Sequence, residues 1–193
     1  MANSKKRCRY CKEYFDAESM VKVPLGFFCT YAHATEHGQK KAANKVHKEK
    51  RKAHKQAKES IMTASDWIKK AQSSVNAYVR IRDKERPCIS CGNYITNKIG
   101  GNIDAGHYRS RGAAGHLRFN LFNIHAQCVK CNRYDSGNVV DYRIRLIDKI
   151  GVFRVERLEN DNKPKKLTID YLKRLHYIFL KRARHIKKIR GYD

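Results

Sequence analysis

The sequence predicts a mostly helical α+β protein, in which a zinc-stapled core of one hairpin and one helix is flanked by basic helices. Two Cys-x-x-Cys pairs enclose a long insert, which is the ligand pattern of a structural zinc site. Apolar residues recur at helical spacing on both sides of these pairs. The 193-residue chain has 43 Lys and Arg against 18 Asp and Glu, a net charge of +25.

This charge excess predicts a polyanionic partner, because each phosphate neutralised by Lys or Arg releases counterions. No stretch approaches the roughly 20 apolar residues that a membrane helix needs, and the first residues lack the apolar core of a signal peptide. We therefore expect a cytoplasmic protein with no membrane partner. In a reducing compartment, the seven cysteines favour metal binding over disulfides.

Residues 1–38 are predicted to form a small N-terminal zinc-binding module. A segment this short builds little core, so a metal ion would supply much of its folding free energy. Its expected ligands are one imidazole and three thiols, namely Cys8, Cys11, Cys29 and His33. His37 competes with His33 for the fourth position.

A basic helical region follows over residues 39–86. Its first part, 39–60, holds nine Lys or Arg and two Glu without Gly or Pro, which predicts an exposed basic helix. Such a helix either contacts nucleic acid, through residues such as Lys50, Arg51 and Lys52, or serves as a solvated linker.

A second helix is predicted over residues 63–83. Thr63 and Asp66 have the spacing of a capping box. The residues that recur at helical spacing and should pack as one apolar face are Trp67, Ala71, Val75 and Tyr78.

The core is predicted to span residues 87–151. Its structural zinc would be held by four thiolates, Cys88, Cys91, Cys128 and Cys131. The insert opens with a Gly-rich turn at 99–102, continues as a strand over 103–108 and a basic loop over 109–115, and reaches a second apolar run over 117–124. This order predicts a two-stranded hairpin.

A helix should then start at Cys128 and run to Ile150, with Gly151 at its C-cap. The remaining region, 152–193, starts with a short segment that could extend as a strand or a turn. It ends in a basic helix over 167–189, where Arg182 and Arg184 are candidate DNA contacts.

Three residues of the core carry a more specific pattern. His107 ends the first predicted strand, Asn123 lies in the connecting segment, and Asn132 follows the second Cys-x-x-Cys pair. Their order and spacing resemble the ββα-metal (HNH-like) nucleases. The resemblance implies that His107 is the general base, that Asn123 braces the loop and the histidine, and that Asn132 binds a catalytic divalent ion.

The chemistry of these residues suits phosphodiester hydrolysis. A histidine can take a proton from water near neutral pH, and oxygen ligands such as Asp104 and Asn132 suit Mg²⁺ or Mn²⁺. In many nucleases of this type a metal ligand directly precedes the base, but here that position is Gly106. Asp104, two residues earlier, is either the ligand or a supporting group.

Two arginines follow the predicted base closely. Arg109 and Arg111 could clamp the scissile phosphate by charge-assisted hydrogen bonds. The alternative is that they belong to a solvated basic loop.

Nearly the whole chain resembles the NinG (Rap) recombination proteins of lambdoid phages. The segments that carry this resemblance are Cys8-x-x-Cys11, residues 76–83, the Cys88/Cys91 pair, residues 104–108 and residues 123–132. The resemblance implies a metal-dependent endonuclease of the Holliday junction resolvase type, acting on junctions and D-loops in the host cytoplasm. It also implies a homodimer, because symmetric resolution takes two cuts, and other phage recombination proteins as partners.

The sequence leaves two alternatives open. One is a non-catalytic, zinc-containing nucleic-acid-binding protein, which explains the charge and cysteines but not the clustered Asp, His and Asn. The other is a zinc-ribbon adaptor for an acidic protein.

Overall fold

The computed structural model describes residues 5–94 and 103–192. The chain forms two compact units, Met1–Met62 and Thr63–Asp193, so the division falls within the predicted basic helical region 39–86. The predicted Gly-rich turn at 99–102 lies outside the described residues.

The first unit consists of two short antiparallel hairpins and one long helix. Its elements are β1 (Lys5–Arg7), β2 (Tyr14–Asp16), β3 (Val21–Val23), β4 (Gly26–Phe28) and α1 (Tyr31–Ser60). Cys8, Met20 and Phe28 form its small buried core.

Helix α1 is 30 residues long, and none of its residues is buried. Its N-cap is Thr30, whose hydroxyl accepts a hydrogen bond from the backbone N–H of His33 at 3.2 Å. The basic segment 39–60 is the continuation of this helix, exposed over nearly its whole length, as the composition predicted.

The second unit combines a two-stranded sheet with four helices in its described part. Its elements are α2 (Ala64–Arg82), β5 (Ile103–His107), β6 (Ile124–Cys128), α3 (Val139–Ile150), α4 (Val152–Asn160) and α5 (Ile169–Arg190). Strands β5 and β6 pair antiparallel, with His107 opposite Ile124.

Helix α2 begins with the predicted capping box between Thr63 and Asp66. It packs parallel to α5, since Trp67 contacts His176, and Tyr78, further along α2, contacts Phe179, further along α5. No helix in the described ranges combines the length and apolar character needed to cross a bilayer.

Helices α3 and α4 cover the hairpin with an apolar cluster. The buried residues of this cluster are Ile89, Tyr108, Ala114, Leu117, Tyr142, Leu146, Val155 and Leu158. The prediction of a strand or turn after Gly151 was wrong, because Val155 and Leu158 lie one helical turn apart and both enter this cluster.

The helix predicted from Cys128 to Ile150 is interrupted. One turn of π-helix spans Lys130–Tyr134, and Gly137 (φ +86°) and Asn138 (φ +41°) then adopt left-handed backbone conformations that end it. A separate helix, α3, begins at Val139 and ends at Ile150. Gly151 is its C-cap, as predicted.

Candidate metal centres and catalytic pocket

The four core cysteines lie together at the base of the β5–β6 hairpin. Their Sγ atoms are all within 4.8 Å of one another, and Cys91 Sγ is 3.9 Å from Cys128 Sγ. A tetrahedral zinc ion with Zn–S bonds of about 2.3 Å requires sulfur atoms about 3.8 Å apart. The backbone N–H of Cys128 points at Cys88 Sγ (3.3 Å) and supports a thiolate there. The cluster therefore fits a structural zinc ion.

Protons compete with zinc at this cluster. Burial and neighbouring thiols raise the pKa of Cys131 well above its ordinary value. Four adjacent thiolates repel one another, so zinc binding has to displace protons from the cluster.

The N-terminal module brings together the four predicted ligands Cys8, Cys11, Cys29 and His33. His33 Nδ1 lies 2.9 Å from Cys29 Sγ and 3.9 Å from Cys8 Sγ. The competing His37 is outside the cluster, because its ring packs against Phe28 at a centroid distance of 5.2 Å.

A cavity of about 480 Å³ opens beside the hairpin. It is bordered by four predicted site residues, namely Asp104, His107, Arg111 and Asn132. Three further residues of the lining were not among the predicted site residues, namely Asn76, Arg80 and Arg133. The first two come from α2 and the third from the π-helical turn.

His107 is held in one tautomer by the loop between the two strands. Its Nε2 lies 3.1 Å from the carbonyl oxygen of Arg118. A carbonyl only accepts, so Nε2 carries the hydrogen and Nδ1 keeps a lone pair. Burial, together with the charges of Arg111 and Arg118, lowers the pKa of His107 to about 4. The ring is therefore neutral at pH 7.

Asn123 is fully buried and closes the loop that carries this carbonyl. Its Oδ1 accepts from the backbone N–H of Arg109 (2.8 Å), and its Nδ2 donates to the carbonyls of Arg109 (3.0 Å) and Leu117 (3.4 Å). Because Leu117 precedes Arg118, these bonds fix the partner of the His107 ring.

Asp104 is ionised and engaged within the pocket. Both oxygens accept from Arg133, at 2.7 and 2.8 Å, and Oδ2 also accepts from Asn132 Nδ2 at 2.8 Å. Hydrogen bonding to Arg133 is the main cause of its lowered pKa. The carboxylate of Asp104 and the amide oxygen of Asn132 together offer the oxygen donors that Mg²⁺ prefers.

Packing explains why a glycine occupies position 106. A Cβ atom at this position would lie 2.9 Å from Gln127 Cδ and closer still to Gln127 Oε1. Gln127 is buried and donates to Ser90 Oγ (2.7 Å) and to the carbonyl of Gly137 (2.5 Å). The space that a ligand side chain would need at 106 is therefore filled by Gln127.

Arg109 has a different role from the predicted phosphate clamp. Its guanidinium donates to backbone carbonyls at the end of α4 and to one amide oxygen, with acceptors on Leu158, Glu159, Asp161 and Asn162. These bonds satisfy terminal carbonyls of α4. They engage the guanidinium donors that a phosphate clamp would need.

The two further histidines of the core serve the fold. His116 Nε2 lies 2.6 Å from the carbonyl oxygen of Asp161. His125 is buried on β6, with Nδ1 3.2 Å from the Tyr142 hydroxyl.

Asp83 is a buried residue for which no role was predicted. Its carboxylate binds the Arg82 side chain at 2.6 Å and accepts from the backbone N–H of Ala126 at 3.1 Å. Arg82 also donates to the carbonyl of Ile124 (2.8 Å). These bonds fasten the end of α2 to β6 and so position α2 residues at the pocket. The position of this aspartate just after a helix does not by itself predict its contact with β6.

The other predicted DNA contacts lie outside the pocket lining. Lys50, Arg51 and Lys52 are exposed on α1. Arg182 and Arg184 are exposed on α5, and the Arg182 guanidinium lies 5.4 Å from the Phe179 ring centroid.

Comparison with known proteins agrees with the family resemblance of the sequence. The family model described as "Bacteriophage Lambda NinG protein" matches residues 1–189. The protein ninG of Enterobacteria phage H19B is 37% identical over 88% of each chain, and that of Escherichia phage 933W is 33% identical over 97% of this chain and 96% of its own. The protein ninG of Escherichia phage lambda is 41% identical over 68% of this chain and 63% of its own. No solved structure matches. The chain belongs to the NinG family of phage proteins.

Proposed function

We propose that this protein is a metal-dependent endodeoxyribonuclease that cleaves branched recombination intermediates, such as Holliday junctions and D-loops, with an HNH-like ββα core. The observation that carries the proposal is the pocket beside the hairpin. It gathers a neutral histidine, a carboxylate and an amide among arginines.

His107 is the proposed general base. Its Nδ1 lone pair takes a proton from the attacking water, while Nε2 keeps its hydrogen bond to the Arg118 carbonyl. The bonds of Asn123 hold this loop, so the ring does not need to reorient when it is protonated. A pKa of about 4 keeps the ring neutral throughout the neutral range, so Nδ1 is unprotonated there.

The other pocket residues bind and orient the phosphodiester. Arg80 and Arg111 border the cavity with Arg133, and guanidinium groups pair with phosphate oxygens through two parallel hydrogen bonds. Asp104 and Asn132 would hold Mg²⁺ or Mn²⁺, which would stabilise the negative charge that develops on the phosphate and the leaving oxygen.

The preference for branched DNA and the homodimer have separate grounds, and the homodimer rests on the two cuts that symmetric resolution of a junction takes. Family resemblance supports branched substrates, and exposed cations on α1 and α5 offer contacts to more than one duplex arm. Both zinc sites would be structural, because four protein ligands leave a zinc ion no open position for catalysis.

A synthetic four-way junction tests the proposal. With Mg²⁺ or Mn²⁺ the wild-type protein should cut the junction, and His107→Ala should bind it normally without cutting. His185→Ala, an exposed histidine on α5, is the matched control and should cut like wild type.

Failure of the wild-type protein to cut any DNA with either ion would refute the nuclease and favour the non-catalytic nucleic-acid-binding alternative. The ion pair between Asp104 and Arg133 (2.7 Å) favours that alternative, because a purely structural carboxylate would make the same contact.

A further inference from the structure

The first unit contains a cavity of about 600 Å³ between the 8–12 loop and the beginning of α1. It is lined by Arg9, Tyr10, Lys12, His37, Lys40, Lys41 and Asn44. Four of these residues are Lys or Arg, and none is acidic. We propose that this cavity binds a backbone phosphate of nucleic acid.

Arg9 is held in place by the turn between β3 and β4. Gly26 has a φ of +122°, and a Cβ there would lie 2.5 Å from Arg9 Nε. The Arg9 side chain thus lies on bare backbone, and the backbone N–H of Arg9 donates to the Phe27 carbonyl at 3.0 Å. Within residues 5–94 and 103–192, its guanidinium has no hydrogen-bond acceptor, so its donors remain available to a ligand.

Lys40 and Tyr10 form the second part of the site. Lys40 Nζ donates to the Tyr10 hydroxyl oxygen at 3.1 Å and lies 4.5 Å from the ring centroid. The Tyr10 ring also packs against the zinc-cluster residue His33, at a centroid distance of 4.7 Å. The hydroxyl accepts from Lys40, and its own O–H is therefore left to donate to an anion.

The remaining cations face the same space. Residues 37, 40, 41 and 44 recur at helical spacing and share one face of α1. Lys12 lies opposite them in the loop, with a φ of +72° and its Nζ 2.6 Å from the Arg9 carbonyl. This ammonium group still has two hydrogens to donate.

These donors match a phosphate better than a carboxylate. A guanidinium fork, separate ammonium groups and a hydroxyl point at one space from several sides, which suits a tetrahedral anion with several acceptor oxygens. The Tyr10 hydroxyl, and to a smaller extent Glu36, raise the pKa of Lys40. The lining itself contains four cations and no carboxylate among the described residues, so these cations repel one another and a bound phosphate would relieve that repulsion. The site goes beyond the proposed cleavage, because it assigns the first unit a defined phosphate site in addition to the exposed Lys50, Arg51 and Lys52 of α1.

Binding measurements on the full zinc-loaded chain test the site. A labelled four-way junction would be titrated by fluorescence anisotropy without Mg²⁺, at several salt concentrations. Lys40→Gln/Lys41→Gln removes two pocket cations, and the control Lys5→Gln/Lys6→Gln removes two exposed cations of β1 that lie outside both α1 and the pocket lining. Zinc content and circular dichroism would verify that each variant folds.

The pocket variant should bind about tenfold more weakly, and its slope of log K against log salt should fall by about 0.9. The control should keep the wild-type slope. Tyr10→Phe, which keeps the ring and the charge, should weaken binding without changing the slope.

Equal weakening by the pocket and control variants, or unchanged binding by the pocket variant, would overturn the inference. A duplex RNA of the same arm sequence distinguishes a general phosphate site from one that prefers DNA. These outcomes are independent of the proposed nuclease, whose failure would appear as intact binding without cleavage.

Discussion

Asn123 makes the candidate site depend on one uncharged, fully buried side chain. Asn123→Ala would remove the side-chain partners of the Arg109 N–H and of the Arg109 carbonyl, while the Leu117 carbonyl keeps the Asn120 N–H. We expect the free energy of unfolding to fall by about 2 to 4 kcal/mol. Urea denaturation measures this loss. Asn120→Ala on the same loop is the control, because among the described residues its side chain makes a single hydrogen bond, accepted from the Phe122 N–H. An equal loss there would contradict the assigned role.

Gly106 and Gln127 form a second residue-level pair. Gly106→Ala should destabilise the protein by about 1 to 3 kcal/mol, because the new methyl group overlaps the Gln127 side chain. Gln127→Ala removes that overlap but also its bonds to Ser90 and Gly137. In a double-mutant cycle the combined loss should be smaller than the sum of the single losses. Strict additivity would argue against the packing explanation.

His125 predicts part of the pH dependence of stability. Burial lowers its pKa to about 3, against about 6.5 in the unfolded chain. Between these values the unfolded state binds more protons, so stability falls as pH falls. At pH 5.5 the loss relative to pH 7.5 should be about 1.4 kcal/mol from this residue.

Urea denaturation of wild type and His125→Gln at both pH values isolates this contribution, because acid weakening of the zinc sites is common to both proteins. Equal losses in the two proteins would show that His125 does not titrate as expected.

Single residues also show how far the sequence predicts the site. His107, Asn123 and Asn132 follow a recognisable order along the chain, and the structure places His107 and Asn132 at one pocket. Arg133 and Gln127 carry no comparable signal. Their roles depend on what lies across the hairpin, at Asp104 and Gly106, and no local spacing encodes that.

At the scale of elements, helix α4 is fastened by a residue about 50 positions earlier. We expect Arg109→Lys to lower the free energy of unfolding by about 1 to 2 kcal/mol, since an ammonium group cannot reproduce the guanidinium fork on the Leu158, Glu159 and Asp161 carbonyls. Hydrogen exchange should increase in α4. Arg111→Lys, at the pocket, should leave this exchange unchanged, and the reverse pattern would reject the capping role.

Elements with local signals were predicted well. The capping box of Thr63 and Asp66 marks the beginning of α2, and Gly151 marks the end of α3. Helix α4 was missed because its Val and Phe residues favour extended structure locally, and only burial in the apolar cluster selects a helix. The break before α3 was missed because Asn138 adopts an uncommon left-handed conformation.

At the scale of the molecule, each unit has its own small core and its own four-ligand cluster. The purified chain should therefore hold two zinc ions, and Cys8→Ser and Cys88→Ser should each hold one. Because metal binding supplies folding free energy, Cys88→Ser should lose the protected amides around Leu146, and Cys8→Ser should keep them. Elemental analysis and hydrogen exchange measure both quantities, and protected amides around Leu146 in Cys88→Ser with a single zinc ion would contradict the expectation.

The whole-molecule prediction from sequence was strongest where chemistry is local. Ligand spacing identified both cysteine clusters. The charge balance predicts a polyanionic partner, and this stays a prediction. The division near Met62 coincides with the boundary between the two predicted helices 39–60 and 63–83, but a helix boundary alone does not distinguish two units from one.

The contact between Gly106 and Gln127 has an evolutionary consequence. Since one residue occupies the space that the other leaves, the two positions should change together among relatives. A chain with a metal-binding side chain in place of Gly106 should have a small residue in place of Gln127, and a chain that keeps the long amide should keep glycine. The commoner nuclease pattern is then separated from this one by a paired substitution, and either change alone would pass through a destabilised intermediate.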